Sequence, residues 1–216
     1  VMFVDNEGKF ISPDLMIAVL GHYYVEERGL KGIVLQDIRS SKAVGEYLAP
    51  MGCRMETWKV GRAFAAKKLR ELDGVWGGEL AGHYYFKDFF YSDSGLLASM
   101  LILRVVASMK EKGISLSQLI GRIARYQNSG EINFRIEDKK GAMDAVREFF
   151  ISRETPTAQM DFDGYRVEFP DWWFNIRPSN TEPYLRFICE ATSNDLLEEK
   201  VSLTKNLLIE RFGAKM

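Results

Sequence analysis

A run of seven mostly polar residues, from Arg177 to Pro183, has the side-chain types that bind phosphate groups. It reads Arg-Pro-Ser-Asn-Thr-Glu-Pro, and apolar runs at 172–176 and 184–189 flank it. These apolar runs predict two strands, so the polar run is predicted as a loop at a sheet edge. A guanidinium matches two phosphate oxygens at once, and hydroxyls, an amide and backbone N–H groups supply further donors. An ordinary hairpin turn is the alternative, because Pro, Ser, Asn and Thr are common turn formers.

A glycine-rich segment from Gly77 to Asp88 places Glu79 and His83 four positions apart. Glycine lets a backbone approach a ligand closely, and a carboxylate can accept hydrogen bonds from vicinal sugar hydroxyls. Histidine titrates near neutral pH and can transfer protons. The alternatives are a turn with an exposed glutamate and a histidine that is only hydrogen-bonded within its loop. The other histidine, His22, falls in a predicted amphipathic helix and is assigned to that helix.

Composition limits the possible classes of protein. The 216 residues are 46% hydrophobic and 27% charged, which is typical of globular domains, and the net charge is −1 with a pI near 6.2. This balance gives no electrostatic case for nucleic acid or for an anionic membrane surface. The longest apolar stretches are too short to span a bilayer, and no signal-peptide pattern opens the chain. Two cysteines far apart, Cys53 and Cys189, indicate a reduced, cytoplasmic protein.

The first part of the chain alternates helices and strands. Apolar residues recur at helical spacing from Leu15 to Val25, and the predicted helix ends at Gly29. Alternation of strand and helix predicts a mixed or parallel sheet covered by helices, an α/β fold. The aromatic residues between Tyr84 and Tyr91 are assigned to packing, because no basic surface accompanies them. Strands are predicted at 32–38, 54–58 and 74–77, and further helices at 41–51, 64–71, 94–110 and 117–126.

Beyond the polar stretch 127–130 the order of elements changes. An Asp163-Gly164 dipeptide between two strand-like runs predicts a hairpin turn. The order is typical of an α+β domain, so we place a domain boundary close to Gln127. Strands are predicted at 132–136, 158–162, 165–169, 172–176 and 184–189, and helices at 140–150 and 195–212.

Two motifs together resemble the alpha-D-phosphohexomutase family, the phosphomannomutases and phosphoglucomutases. The family's sugar-binding loop reads Gly-Glu-Met-Ser-Gly-His or a close variant, and residues 78–83 read Gly-Glu-Leu-Ala-Gly-His. Its phosphate-binding loop reads Arg-x-Ser-Asn-Thr-x-Pro, which residues 177–183 match. Residues 1–11 resemble the hairpin that follows the family's metal-binding Asp-x-Asp-x-Asp-Arg loop.

The resemblance covers the whole chain but only the back half of the family's chain. It implies that 1–11 are the last hairpin of domain 2, that 12–126 are the sugar-binding α/β domain 3, and that 127–216 are the phosphate-binding α+β domain 4. Neither the aspartate triplet nor a Thr-Ala-Ser-His-Asn-like stretch carrying the phosphorylated serine is present. We therefore expect an inactive fragment whose Mg2+ ligands and nucleophile lie in missing N-terminal domains. A stand-alone, non-catalytic phosphosugar-binding module is the alternative.

The resemblance also implies roles for residues of the first domain. Glu79 would hold sugar hydroxyls, and His83 would assist proton transfer or bind phosphate. Arg39, at the carboxyl end of a strand, matches a basic residue that the family uses near the transferring phosphate; capping of the strand end, beside a surface carboxylate, is the alternative. The segment 59–62 resembles the family's Lys-x-Gly-His, so Lys59 and Arg62 are expected to bind substrate.

Two positions depart from the family pattern. Arg62 stands where many members carry histidine, and a guanidinium does not deprotonate in proteins, so an acid/base role at this position is in doubt. Ala81 stands where the family commonly has serine, which removes one hydroxyl from the sugar-binding loop.

In the second domain the resemblance implies that Arg177, Ser179, Asn180 and Thr181 bind phosphate. Arg186, on the departing strand, either reaches the same phosphate or points away. Asn180 favours hexose over hexosamine substrates, because phosphoglucosamine mutases typically have glycine there. The parent enzyme would interconvert hexose 6-phosphate and hexose 1-phosphate through a phosphoserine, with glucose or mannose 1,6-bisphosphate as intermediate and activator. The choice between mannose and glucose stays open.

Overall fold

The protein is described by a computed structural model that covers residues 1–179 and 181–216. Two compact units are present, one from Val1 to Arg125 and one from Tyr126 to Met216. Among the helices of the described residues, none is both long enough and apolar enough to cross a bilayer.

Unit 1 contains a mixed five-stranded sheet in the order β4-β3-β5-β6-β7. Strand β3 is parallel to β4 and β5, whereas β6 and β7 continue the sheet antiparallel. A separate two-stranded hairpin, β1 with β2, precedes it. The strands are β1 Phe3–Val4, β2 Phe10–Ile11, β3 Ile33–Asp37, β4 Arg54–Trp58, β5 Trp76–Gly78, β6 Tyr84–Phe86 and β7 Ser92–Asp93, and the helices are α1 Leu15–Gly21, α2 Lys42–Leu48, α3 Arg62–Glu71, α4 Gly95–Glu111 and α5 Leu116–Ile123.

The core of unit 1 forms around α1, all of whose residues are buried. The helix continues through a π-helical segment, His22–Glu27, which explains why the apolar spacing extends past α1. Within this segment Tyr24 stacks on Trp76 at a centroid distance of 4.8 Å. Ser94 caps the core helix α4 by accepting a hydrogen bond from the Leu97 N–H. The sheet is covered on one face by α1 and α4 and on the other by α3, whose Ala65 and Leu69 pack with Leu35 and Tyr85.

The aromatic run after β5 divides between core and surface. Tyr84, Tyr85 and Phe86 are fully buried in β6, a strand that the sequence did not predict. Phe89 and Phe90 are exposed, so neither belongs to the core of this unit, and packing against another domain stays a prediction for them. The reason is local: the chain turns through left-handed backbone at Phe90 (φ 57°) as it leaves β6 for β7.

Unit 2 is α+β. Its antiparallel sheet runs β10-β11-β12-β13, and β13 also pairs with the short strands β8 and β9. Helices α6 and α7 pack against one face, with Phe150 and Leu208 in the same apolar cluster as Phe174 and Phe187 of the sheet. The sequence thus predicted the fold class of both units. The elements are β8 Gln127–Asn128, β9 Ile132–Arg135, α6 Lys139–Ile151, β10 Ala158–Met160, β11 Tyr165–Glu168, β12 Trp172–Pro178, β13 Tyr184–Ala191 and α7 Asn194–Phe212.

Candidate functional site

In unit 1, three predicted site segments follow three neighbouring parallel strands. Arg39 follows β3, Lys59 and Arg62 follow β4, and the loop 79–83 follows β5. Because the carboxyl ends of parallel strands meet at one edge of a sheet, these segments share that edge. The fold therefore gathers the predicted sugar-binding residues of unit 1 on one side.

Asp37, the last residue of β3, joins Arg39 to the loop after β5. Its Oδ1 accepts hydrogen bonds from the Arg39 backbone N–H (2.7 Å) and Nε (3.3 Å), and its Oδ2 accepts from Arg39 Nη2 (2.8 Å) and the Leu80 N–H (2.9 Å). Both side chains are buried. Arg39 thus pairs with a carboxylate at the strand end, as in the structural alternative, but this carboxylate is buried and not on the surface.

Glu79 is a buried carboxylate that joins the loop after β5 to the loop after β4. The Tyr85 hydroxyl donates to Oε1, and the Gly61 N–H donates to Oε2 at 3.3 Å. The alternative of an exposed glutamate is wrong, because Glu79 is 2% exposed. Burial raises the pKa of Glu79 above its usual value, the Tyr85 hydrogen bond lowers it, and the charge of Asp37 adds to the rise. An ionised carboxylate has about four lone-pair directions, and Tyr85 and Gly61 occupy two of them here.

The hairpin loop between β5 and β6 sets Glu79 opposite His83. The Glu79 N–H donates to the His83 carbonyl (3.0 Å), and the Gly82 N–H donates to the Glu79 carbonyl (2.9 Å). Gly82 has φ 81°, the left-handed conformation that completes a three-residue hairpin loop and favours glycine. Ala81 is exposed at the tip of the loop. A serine at this position would add its hydroxyl at that exposed tip.

His83 has a partner that the sequence did not predict. Its Nδ1 lies 2.7 Å from Oδ2 of Asp93 in β7, and Oδ1 of Asp93 accepts the Tyr84 N–H at 3.1 Å. The His83 side chain is 44% exposed. Asp93 and Tyr85 lie outside the motif, and only the β6–β7 pairing, with Tyr85 opposite Asp93, brings them to the site.

Lys59 and Arg62 add two cations to the segment that follows β4. Lys59 is half-buried, and Arg62 is exposed as the first residue of α3. Across residues 1–179 and 181–216, neither side chain takes part in an ion pair. Both cations are therefore available to an anionic ligand.

In unit 2, the loop after β12 follows a pair of facing arginines. Arg177 on β12 lies directly opposite Arg186 on β13, so both side chains project from the same face of the sheet. The sequence left open whether Arg186 points to the same side as Arg177, and the register places both on one face of the sheet. Arg177 is buried, 3.6 Å from Asp163, and Arg186 pairs with Glu131 (2.9 Å) and with Glu182. Carboxylates therefore balance both guanidiniums, and a phosphate at the loop would have to compete with Asp163, Glu131 and Glu182 for them.

The loop itself is organised by Ser179. Its hydroxyl oxygen accepts hydrogen bonds from the backbone N–H groups of Thr181 (3.4 Å) and Glu182 (3.2 Å), and its own N–H donates to the Tyr184 carbonyl (2.9 Å). The hydroxyl hydrogen of Ser179 can still be donated to a ligand. Thr181 is exposed. Asn180 lies outside the described residues.

Metal binding was assigned by resemblance to the part of the family outside this sequence. No group of three or more His, Cys, Asp or Glu side chains in the described parts of the chain is arranged to hold a metal ion.

Two family profiles match the chain. One described as phosphoglucomutase/phosphomannomutase, alpha/beta/alpha domain III, matches residues 12–126, and one described as phosphoglucomutase/phosphomannomutase, C-terminal domain, matches residues 131–202. The first match alone spans more than half of the chain.

Individual proteins agree with the profiles. A phosphomannomutase of Methanocaldococcus jannaschii is 37% identical over 205 residues, which cover 95% of this chain and 44% of the relative. A protein of Xanthomonas campestris named phosphohexose mutases is 34% identical over 209 residues, 95% of this chain and 45% of the relative. The fold also matches a phosphoglucomutase/phosphomannomutase family protein from Burkholderia thailandensis, with a TM-score of 0.80, 24% identity and coverage of 97% of this chain and 44% of the other.

The chain thus spans less than half the length of the curated relatives that it matches. The matched profiles are the third and the C-terminal domains. On this evidence the chain belongs to the phosphoglucomutase/phosphomannomutase family and corresponds to the C-terminal half of its members.

Proposed function

We propose that this chain is the sugar- and phosphate-recognising half of a phosphohexomutase. The complete enzyme would interconvert hexose 6-phosphate and hexose 1-phosphate through a phosphoserine and a hexose 1,6-bisphosphate. Relatives named phosphomannomutase and phosphohexose mutases support this proposal, and the chain covers about 44% of their length. The nucleophilic serine and the Mg2+ ligands would lie in the remaining part, because neither motif occurs in this sequence.

The proposal rests on one edge of the unit 1 sheet, where hydrogen bonds join the end of β3 and the loop after β4 to the loop after β5. Glu79 is buried, held by Tyr85 and Gly61, and followed by a histidine in the same short hairpin. A fixed acceptor discriminates among sugar stereoisomers, because a misplaced hydroxyl leaves a buried group unpaired at a cost of about 1–3 kcal/mol. Glu79 would bind vicinal hydroxyls at this edge, and His83 would meet a hydroxyl that gains or loses phosphate.

The cations would then bind phosphate. In unit 1, Arg39, Lys59 and Arg62 lie at the same sheet edge as Glu79 and would face the transferring phosphate. In unit 2, Arg177, Ser179, Asn180 and Thr181, with Arg186 on the same face as Arg177, would bind the phosphate that is not reacting. Holding one phosphate converts binding energy into positioning of the distant hydroxyl.

Partners and location complete the proposal. The N-terminal domains of the family would pack on unit 1, where a groove of about 650 Å³ is lined by apolar residues of β1, α4 and α5. Val4 and Leu103 line this groove and are 61% and 62% exposed, so they offer apolar surface that a further domain could cover. A cytoplasmic location is supported by two buried free cysteines, Cys53 and Cys189.

Calorimetric titration of the 216-residue chain with glucose 1,6-bisphosphate and with mannose 1-phosphate tests the proposal. We expect saturable binding that weakens in Arg177→Ala, and a ranking of the two sugars. We also expect no mutase turnover by the pure chain, because the serine and aspartate motifs do not occur in it. A folded chain that binds neither compound would contradict the proposed recognition role, and turnover by rigorously pure chain would contradict the assignment of the nucleophile.

A further inference from the structure

The His83 ring is held on one side only. Its Nδ1 contacts Asp93, and in the part of the chain that the structure describes no hydrogen-bond partner is present for Nε2. The ring is nearly half exposed, whereas the Asp93 side chain is 17% exposed. One nitrogen therefore has a fixed protein partner, and the other is open to a ligand.

The two oxygens of Asp93 have different partners, and these partners fix the hydrogen positions. Oδ1 accepts the Tyr84 backbone N–H at 3.1 Å, and Oδ2 lies 2.7 Å from His83 Nδ1. An ionised carboxylate can only accept hydrogen bonds, so Nδ1 must carry the proton. In neutral imidazole the other nitrogen, Nε2, then has a lone pair and is an acceptor.

Strand β7 keeps this carboxylate in place. Asp93 lies opposite Tyr85 in the β6–β7 pairing, and the hydroxyl of Tyr85 in turn contacts Glu79. The Tyr84 N–H is a backbone group of β6 and cannot rotate away from Oδ1. The sheet therefore orients the Asp93 side chain and restricts its rotamers.

We propose that Asp93 is a positioning residue that holds His83 as the Nδ1–H tautomer, so that Nε2 accepts a hydrogen bond from a hexose hydroxyl. This inference rests on the proposed function for its ligand, but the tautomer is a property of the protein alone. Asp93 lies ten positions after His83, outside the Gly-Glu-x-x-Gly-His loop. It would determine which ring nitrogen of His83 the sugar meets.

The substitution Asp93→Asn separates tautomer control from simple support of the fold. The Tyr84 N–H still needs an acceptor, so the oxygen of the introduced amide takes the place of Oδ1. Its NH2 group then faces Nδ1 of His83 and can only donate, which makes Nδ1 the acceptor and moves the proton to Nε2. The shape of the side chain is nearly unchanged, while the open nitrogen changes from acceptor to donor.

The test is nitrogen-15 NMR of the 216-residue chain with labelled histidine, above the pH at which imidazole is protonated. Only two histidines are present, and His22, whose Nε2 lies 2.8 Å from the Tyr47 hydroxyl, is an internal reference for the fold. We expect the Nδ1–H form of His83 in the wild-type chain and the Nε2–H form in Asp93→Asn. The control Tyr85→Phe removes the hydroxyl bonded to Glu79 but leaves Asp93, and should keep the wild-type tautomer.

An Nε2–H tautomer in the wild-type chain would overturn the proposal even if Asp93→Asn did not fold. An unchanged tautomer in a folded Asp93→Asn variant would overturn it as well. Addition of mannose 1-phosphate then tests the ligand separately, since a hydroxyl bound at Nε2 should shift that resonance in the wild-type chain. The Nδ1–H form without any response to the sugar phosphate would leave tautomer control by Asp93 intact and contradict hexose recognition by this chain.

Discussion

The two candidate sites of this chain both contain carboxylates and cations but differ in which of them the loops present. At the unit 1 edge, three carboxylates, Asp37, Glu79 and Asp93, each accept hydrogen bonds from a backbone N–H and from a side chain. In unit 2, the loop follows two facing guanidiniums, Arg177 and Arg186, and is shaped by a serine hydroxyl. Acceptors suit sugar hydroxyls, and guanidiniums suit phosphate. On the function proposed above, unit 1 would bind the sugar hydroxyls and the transferring phosphate, and unit 2 the phosphate that is not reacting.

The two sites also differ in how the fold builds them. The unit 1 site combines loops after three parallel strands with a residue of β7, so its geometry depends on the whole sheet. The unit 2 site belongs to one antiparallel hairpin, in which the β12–β13 register sets the facing arginines. One substitution beside that hairpin should therefore disturb the unit 2 site more than a comparable substitution disturbs unit 1.

The largest expected effect is at Gly164, which lies against Arg177. Gly164 has φ 70°, and a Cβ there would lie 2.2 Å from the Ile176 carbonyl and 2.5 Å from the Arg177 Cβ. Gly164→Ala therefore combines left-handed strain with overpacking, and we expect a loss of about 2–5 kcal/mol in the free energy of unfolding of unit 2. Urea denaturation followed at the Trp172 and Trp173 indole N–H signals measures it.

Gly130→Ala is the matched control for this substitution. Gly130 also has a positive φ, 66°, but nothing lies within 4 Å of the Cβ position. Only the conformational strain of about 1–2 kcal/mol should appear. If both variants lost the same free energy of unfolding, contact between residue 164 and β12 would not contribute to the effect of Gly164→Ala.

The next largest effect concerns the facing arginines. Arg177→Ala removes charge-assisted hydrogen bonds worth about 1.5–3 kcal/mol, so binding of a hexose bisphosphate should weaken by about 10- to 150-fold. Arg177→Lys should recover part of this loss, because an ammonium keeps the charge but lacks the planar fork. Arg211→Ala, at an exposed position in the last turn of α7, is the control. Calorimetry provides the measurement, and a loss as large in the control would indicate nonspecific charge effects.

The sequence predicted much of this comparison, and the physical reasons are specific. Long apolar runs identified β12 and β13, and helical apolar spacing identified α7, each to within two residues. The strand β6 was missed because its buried run is only three residues long, whereas β12 has six consecutive buried residues. Asp93 was missed because β7 has only two residues, and its contact with His83 depends on the pairing of β6 with β7. The direction of Arg186 needed the β12–β13 register, which no local pattern contains.

A smaller effect should separate recognition of sugar from recognition of phosphate. Glu79→Gln replaces one acceptor oxygen by a donor, so a hexose phosphate should bind about 5- to 150-fold more weakly, as expected for about 1–3 kcal/mol. Inorganic phosphate has no hexose hydroxyls, and its binding should not change. Glu71→Gln, at an exposed residue that pairs with Lys67, is the control. Equal weakening for both ligands would show that Glu79 acts on the fold or on the phosphate, and would break the comparison between the units.

The smallest effect is a pH dependence of opposite sign in the two units. Burial raises the pKa of Glu79, with 4.5 as the usual value. Between that value and the raised pKa, the folded state holds more protons than the unfolded state, so the stability of unit 1 falls as pH rises through this window. Burial also acts on Glu154 of unit 2, but hydrogen bonds from Lys200 and Trp172 lower its pKa below 4.5 overall. Its contribution to stability is present above 4.5 and is lost as pH falls through the lowered pKa.

Urea midpoints between about pH 3 and pH 7 measure both slopes, with the Trp76 indole signal for unit 1 and the Trp172 signal for unit 2. Asp14 is also buried with a raised pKa, so the relevant quantity is the difference between the wild-type chain and Glu79→Gln. In Glu79→Gln, the stability of unit 1 should fall less as pH rises, and the stability of unit 2 should be unchanged. In Glu154→Gln, unit 2 should lose less stability as pH falls, and unit 1 should be unchanged. If the stability of unit 1 fell equally with rising pH in the wild-type chain and in Glu79→Gln, the raised pKa would belong to Asp14 alone. Glu79 would then be an ordinary ionised carboxylate, and its burial would not distinguish the unit 1 site from the hairpin of unit 2.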